Sequence, residues 1–160
     1  PSKGFIHIKF LLDSFTKLTD MLSAYMRPTE EDLEDEEFFR ISTCLLFYTI
    51  SVAISQIGNN DEIGKFSADH MVDGDILMSI KNGPKAAIRV KDHRLLTYKK
   101  ASEKPRALME FESIDLARDL FDGKVNSVAC VGEGKIAMGG MISMVDNMNR
   151  ILDLVGLYLK

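Results

Sequence analysis

The first third of the chain carries apolar residues at helical spacing. Residues at three- and four-residue steps form one face of a predicted helix, and they are Ile8, Leu12, Phe15, Leu18, Leu22 and Tyr25. Pro28 ends this helix, and Thr29 offers an N-cap for a second one. Seven of the eight residues in 30–37 are acidic, which suits the positive end of a helix dipole. A metal site is the alternative, but the run has no glycine turn of a calcium loop and no nearby histidine.

A charge-free run follows at 41–60, and it predicts a buried helix that ends at Gly58–Asp61. Its apolar part is about 17 residues long, the short limit for a membrane span, so a span is the less favoured alternative. Cys44, Tyr48, Ser51 and Ser55 share a stripe of this helix. We expect Ser51 and Ser55 to face a neighbouring helix within a soluble molecule.

The periodicity changes at Gly74, where short alternating segments predict strands. Five strands are predicted, at 76–80, 86–90, 95–98, 107–111 and 135–138. Asn82-Gly83 marks a hairpin turn, short helices are expected after Ser113 and over 126–131, and a last helix runs from Met141 to Leu159. The sequence predicts one α+β domain over 1–160, with a helical portion at 1–70 and a sheet portion at 71–160. The sheet is expected to be five-stranded and mostly antiparallel, with helices packed on one face.

The net charge and the cysteine content indicate which partners and which cellular location to expect. The formal net charge is −4 and no stripe of Lys and Arg is present, which excludes nucleic acid as the main partner. Cys44 and Cys130 lie in apolar strings, and this favours two buried thiols over a disulfide. The first ten residues lack the apolar core of a signal peptide, so we expect a cytoplasmic location.

Residues with catalytic chemistry are scattered. His7, His70 and His93 are far apart, and no nucleophile elbow, zinc-protease pair or Cys-x-x-Cys pair is present. The segment 132–135, Gly-Glu-Gly-Lys, precedes a strand and so fails as a phosphate loop. Asp69-His70 fits a polar loop better than a proton-transfer pair. We therefore predict that the protein is not an enzyme and has no metal site and no cofactor.

The order of elements after Gly74 resembles the sterol carrier protein type-2 family of nonspecific lipid-transfer proteins. The resemblance rests on ALMEFES, IDLARDLFDGKVN and GKIAMGG, followed by a terminal helix, with Gly123-Lys124 and the segment 134–139 in the family's places. It covers residues 71–159. Two departures are the longer helical portion at 1–70 and the lack of a peroxisomal tripeptide at 158–160, which favours a cytoplasmic setting.

Methionines are concentrated near the end of the chain, and four of the nine lie in 135–148. Methionine at helical spacing is usually core packing, but its unbranched thioether also suits a surface that accepts varied apolar ligands. The family resemblance favours the second interpretation, because related domains line a lipid tunnel with the terminal helix. The predicted cavity between sheet and helices is lined by Phe121, Val128, Met138, Met141, Met144, Met148 and Leu152.

The predicted function is non-catalytic binding or transfer of a fatty acid, acyl-CoA, sterol or similar apolar ligand. The alternative is a regulatory or dimerisation module whose cavity is collapsed and holds no ligand. Contact with a membrane and formation of a homodimer are left open by the sequence.

Overall fold

The computed structural model describes residues 3–101 and 103–158, and their side chains from residue 8 onward. Within these residues the chain forms six α-helices, one 3₁₀ turn and five strands. In chain order they are α1 (Lys3–Met26), the 3₁₀ turn (Asp32–Glu34), α2 (Glu36–Asn60), α3 (Glu62–Asp69), β1 (Gly74–Ile80), β2 (Lys85–Lys91), β3 (Arg94–Tyr98), β4 (Ala107–Phe111), α4 (Ile114–Phe121), α5 (Ser127–Gly132), β5 (Ile136–Gly140) and α6 (Ile142–Tyr158). The predicted helix end at Leu159 lies outside the described residues.

The chain divides into two compact units, Pro1–Leu45 and Leu46–Lys160. The division lies inside α2 and so does not coincide with the predicted one at residue 70. In the first unit the Tyr25 ring stacks on Phe38, with 4.5 Å between ring centroids. The Ser42 hydroxyl donates to the Tyr25 carbonyl oxygen at 2.6 Å. These contacts fix the end of α1 to the beginning of α2.

The N-cap of α2 is Asp35 and not the predicted Thr29. Thr29 was expected to cap it, but the Thr29 N–H and hydroxyl both donate to the Asp32 carboxylate and close the 3₁₀ turn. The pKa of Asp32 is lowered by these two hydrogen bonds. The α2 helix begins at Glu36, and the preceding Asp35 caps it, since its carboxylate accepts the Phe38 N–H at 2.7 Å. Several acidic residues in a row offer several caps, so the sequence alone did not select one.

The second unit contains a five-stranded mixed sheet in the order β3-β2-β1-β4-β5. Three pairings are antiparallel, but the central pairing of β1 with β4 is parallel. The prediction of a mostly antiparallel sheet is corrected by this central pair. Its cause is the connection over 99–106, which leaves the edge strand β3 and returns the chain beside β1, on the side away from β2.

A hairpin turn and a glycine at the end of β5 help to fix the register of the sheet. Asp92 and His93, between β2 and β3, both have left-handed backbones, with φ of 50° and 61°, as a two-residue hairpin requires. Gly140 ends β5 with φ of +85°, and a Cβ there would lie 2.2 Å from the Arg106 carbonyl oxygen. Only glycine can occupy that position without moving the neighbouring strand.

One face of the sheet forms the core together with helical residues. The fully buried large side chains of this core are Phe47, Ile50, Ile54, Ile76, Met78, Ile80, Ile88, Leu95, Met109, Phe111, Met144 and Met148. On the opposite sheet face Leu96, Tyr98 and Leu108 are exposed. There Arg89 pairs with the buried Asp75 at 2.7 Å, and this hydrogen bond raises the pKa of Arg89.

The serine stripe of α2 faces a strand. Ser51 and Ser55 are buried, and the Thr97 hydroxyl of β3 donates to the Ser51 carbonyl oxygen at 2.7 Å. Because the Thr97 proton is used there, the Ser55 hydroxyl donates to Thr97, at 2.6 Å. The Ser55 side chain therefore contacts β3 and not a helix, which corrects the expectation for this residue, whereas the Ser51 hydroxyl donates to the Phe47 carbonyl oxygen of α2 itself at 2.7 Å. Among the described helices α2 alone is long and apolar enough to cross a membrane, and 39% of its most apolar stretch is buried.

Candidate functional site

A cavity of about 140 Å³ lies in the second unit, between helices. Its wall combines the middle of α2, the end of α4 with the loop that follows, the first residue of α5 and the last two turns of α6. The lining residues are Ile50, Leu120, Phe121, Val125, Asn126, Ser127, Leu152, Asp153, Val155 and Gly156. Six of the ten are aliphatic or aromatic, and the surface that faces the cavity is about half polar and half apolar.

Core packing sets the position of the apolar wall. Ile50 and Val155 are each 2% exposed, and both belong to the main hydrophobic cluster. The Phe121 ring meets Phe111 edge to face at 5.7 Å and is tilted against Phe47 at 6.5 Å. A ring held by two aromatic neighbours loses little further freedom when a ligand contacts it.

The polar residues of the cavity lie together where α5 begins. The Asn126 side chain accepts the Ala129 N–H at 3.1 Å and is the N-cap of α5. The Ser127 hydroxyl is buried and donates to the Asp153 carboxylate at 3.1 Å. Asp153 is exposed and is the one titratable side chain among the ten lining residues. The site therefore has an apolar wall and one acidic edge.

The structure places the seven predicted ligand-binding residues in different environments. Phe121 and Leu152 line the cavity. Met144 and Met148 are fully buried in the core, and Met138 is partly buried against it. Val128 is 65% exposed and Met141 is 38% exposed, since both lie on outward-facing positions of their segments.

Five of the apolar or glycine lining positions were missed by the sequence analysis. They are Ile50, Leu120, Val125, Val155 and Gly156. Val155 and Leu120 pack against the hydrophobic core from their helices, but nothing in the sequence marks either residue as different from its apolar neighbours. What brings them together is the approach of α2 to the ends of α4 and α6, and sequence spacing does not encode this approach.

The chemical groups named from the sequence do not converge on this cavity. His70 is exposed, its Nδ1 lies 2.6 Å from the Phe66 carbonyl oxygen, and its ring lies tilted against the Phe66 ring with 4.3 Å between centroids. His93 lies in the exposed β2–β3 turn, and the side chain of His7 lies outside the described residues. Cys130 is buried in the core, and partial burial raises the pKa of the Cys44 thiol. No three His, Cys, Asp or Glu side chains in the described part of the chain are grouped so that they could hold a metal ion.

Comparisons with solved structures identify the fold. The chain is similar to the sterol carrier protein domain 2 of Helicoverpa armigera, with a TM-score of 0.53 and 19% identity over 69% of this chain and 87% of that one. It is similar to UbiJ-SCP2, a ubiquinone synthesis protein, with a TM-score of 0.52 and 12% identity over 71% and 93% of the two chains. A crystal structure of sterol carrier protein 2 matches with a TM-score of 0.51 and 9% identity over 69% and 93%.

No protein-family model matches the sequence, and no curated protein matches it either. At these identities the structural matches establish the fold and nothing finer. The chain has the sterol carrier protein 2 fold, which confirms the resemblance found in its last ninety residues.

Proposed function

We propose that this chain is a non-catalytic lipid-binding protein that holds part of an apolar ligand in the cavity between α2, α4 and α6. The observation that carries the proposal is the apolar wall formed by Ile50, Phe121, Leu152 and Val155. The fold supports it, because two of the similar structures are named as sterol carriers and a third as a ubiquinone synthesis protein. Sterols and ubiquinone are both largely apolar molecules.

The size of the cavity limits what it holds. An apolar cavity of about 150 Å³ accommodates a benzene-sized molecule, so about 140 Å³ holds roughly six carbon atoms. Six buried methylenes contribute about 5 kcal/mol at ~0.8 kcal/mol each before ordering costs. This corresponds to millimolar binding at best. A ligand that binds more tightly must extend beyond the present cavity or move Phe121 and Leu152 apart.

The acidic edge favours one class of ligand head. If the apolar tail of a ligand packs against Leu152 and Val155, its polar end lies near Asp153 and Ser127. A carboxylate there meets the Asp153 carboxylate, whereas a neutral hydroxyl can donate a hydrogen bond to it. Among the ligands predicted from the sequence, we therefore favour a sterol-like or other neutral molecule over a fatty acid or acyl-CoA.

The test uses Gly156, which lines the cavity. A Cβ at Gly156 meets no atom within 4 Å, and the same is true of Gly132 at the end of α5, outside the cavity. We expect Gly156→Leu to fill the opening and to abolish binding of decanol, followed by amide chemical-shift changes in nuclear magnetic resonance titrations. The matched control Gly132→Leu should bind decanol like the parent protein. Both variants should fold, because leucine is favoured over glycine within a helix by up to about 1 kcal/mol.

Decanoate is the second probe in the same titration. We expect the parent protein to bind decanol several-fold more tightly than decanoate, and Asp153→Asn to remove the difference because the charge is lost. Equal binding by the Gly156→Leu variant and the parent would place the ligand elsewhere and contradict the proposal. Tighter binding of decanoate by the parent would contradict the preference for neutral ligands alone.

A further inference from the structure

The N-terminal helix exposes a large apolar surface. Phe10 is 72% exposed on another side of the helix, and seven further apolar side chains between 8 and 22 are 40–68% exposed: Ile8, Leu11, Leu12, Phe15, Leu18, Met21 and Leu22. Taking about 150–200 Å² for a fully exposed side chain of this size, they present roughly 700 Å² of surface. The largest apolar patch on a soluble monomer is typically about 300–600 Å². A patch above that range indicates a surface that is covered by another molecule.

The spacing of these residues specifies a helical partner. Six apolar positions alternate steps of three and four residues without interruption, and they are Ile8, Leu11, Phe15, Leu18, Leu22 and Tyr25. This mean spacing of 3.5 residues keeps a narrow stripe facing a second helix in a left-handed coiled coil. The stripe ends at Tyr25, whose ring already stacks on Phe38.

The residues that flank the stripe allow two identical helices to meet. Positions next to it hold Leu12 and Thr19 on one side and Ser14 and Met21 on the other, and none of these is charged. Charged residues at such positions usually select a different partner or orientation. Without them, two copies of α1 pack with no repulsion between like charges.

The charges of α1 disfavour a lipid surface as the occupant. Over its whole length α1 carries Lys3, Lys9 and Lys17 together with Asp13 and Asp20, so its net charge is only +1. Helices that lie on membranes rely on an excess of Lys and Arg on the polar side to bind anionic lipids. The stripe therefore has the spacing of a protein contact and lacks the charge of a membrane contact.

We propose that α1 of this chain pairs with α1 of a second copy, through the stripe from Ile8 to Leu22, to form a homodimer. If about three quarters of the exposed apolar surface is covered, the pair buries roughly 1,000 Å² in total, the lower limit for a specific interface. This inference rests on α1 alone and is independent of the proposed ligand cavity.

The test measures the mass of the full chain by sedimentation equilibrium over micromolar to submillimolar concentrations. We expect a reversible dimer for the parent protein. Phe15→Glu places a charge in the middle of the stripe and should weaken association at least a hundredfold. The matched control Thr16→Glu adds the same charge one residue away, on the polar side of the exposed helix, and should leave the dimer unchanged.

Circular dichroism of each variant shows whether a monomeric mass reflects loss of the dimer or loss of the fold. Leu11→Glu provides a second stripe variant in case Phe15→Glu does not fold. A parent protein that stays monomeric throughout the concentration range would overturn the proposal. A dimer that persists in both stripe variants would also overturn it. The third contrary result is a monomeric parent protein that co-sediments with phosphatidylcholine vesicles while the Phe15→Glu variant does not. The stripe would then bind lipid and not a second copy of α1.

Discussion

The helices α1 and α6 have similar apolar content and opposite environments. From Met144 to Val155 the apolar residues of α6 are at most 8% exposed, except for the half-buried Leu154, whereas those of α1 are 40–72% exposed from Ile8 to Leu22. The spacing of these residues overlaps, because α1 also contains adjacent apolar pairs, Leu11–Leu12 and Met21–Leu22. The buried set of α6 is Met144, Val145, Met148, Ile151, Leu152 and Val155, which covers a wide face with pairs of neighbouring residues.

The comparison shows that spacing alone does not state what covers an apolar face. The wide face of α6 fits the concave surface between a sheet and other helices. The apolar residues of α1 include a continuous row at alternating steps of three and four, which fits one straight partner helix. In this protein the apolar face of α6 is covered by its own chain, and that of α1 is left exposed.

The largest expected effect comes from truncating the same side chain in both helices. Met148 is fully buried and Met21 is 53% exposed. We expect Met148→Ala to lower the free energy of unfolding by about 2–5 kcal/mol, because it removes buried methylenes and leaves a cavity. Met21→Ala should change it by less than about 0.5 kcal/mol, since this side chain is largely hydrated. Urea denaturation followed by circular dichroism, at concentrations low enough to keep the chain monomeric, measures both.

Similar losses in the two variants would contradict the comparison, because α1 would then contribute to the folded core. A small loss in Met148→Ala would instead mean that the surroundings of Met148 collapse around the missing side chain.

The sequence predicted most elements of the fold because their signals are local. The five strands and the two short helices appear at the predicted places to within two residues, since alternation, caps and turn residues lie within each segment. The helix α3 was missed, because Glu62–Asp69 is short and follows the turn signal of Gly58–Asp61. The parallel pairing of β1 with β4 was also missed, because strand order depends on which edge a chain returns to, and no residue of 99–106 specifies it.

The candidate site was predicted less well than the fold. The sequence predicted an apolar ligand cavity near the last helix, and two of its seven predicted lining residues, Phe121 and Leu152, border the cavity described above. The methionines chosen as its wall include Met144 and Met148, which are fully buried in the core. Periodicity states that a residue faces inward, but it does not state whether that residue meets another side chain or an unfilled space. Only the packing of α2 against α4 and α6 makes that distinction.

An intermediate effect is expected from enlarging Met144. If this residue lined the cavity, tryptophan would fill space at little cost. Because Met144 is fully buried and outside the cavity lining, we expect Met144→Trp to lower the free energy of unfolding by about 1–3 kcal/mol through overpacking. Decanol should still bind to the folded fraction of the variant. A stable variant that has lost decanol binding would show that the ligand reaches Met144, and the cavity would then extend along the wide face of α6.

The smallest expected effect concerns the hydrogen bond that anchors the end of α6. The Tyr158 hydroxyl donates to the Asp61 carboxylate at 2.7 Å, and the same carboxylate accepts the Gly64 N–H at 2.9 Å as the N-cap of α3. The Gly64 hydrogen bond and then that of Tyr158 lower the pKa of Asp61, and the Asp61 carboxylate raises the pKa of Tyr158.

The two shifts give opposite pH dependences. The lowered pKa of Asp61 means that its contribution to stability is present above its ordinary pKa of 3.8 and is lost as the pH falls through the folded-state value. The raised pKa of Tyr158 means that its contribution is present below its ordinary pKa of 10.0 and is lost as the pH rises through the folded-state value.

Two variants test these pH dependences. Asp61→Asn keeps a cap of α3 but removes the charge, and Tyr158→Phe removes only the hydroxyl. We expect the Tm of the parent to exceed that of Asp61→Asn at neutral pH, with the difference shrinking below about pH 4, and the difference from Tyr158→Phe to shrink at both extremes. Because both groups are exposed, each difference should be no more than a few degrees, measured by thermal denaturation from acid to alkaline pH. A difference that stays constant with pH would mean that the charge of Asp61 does not stabilise the end of α6, and that its wide apolar face alone holds the helix in place.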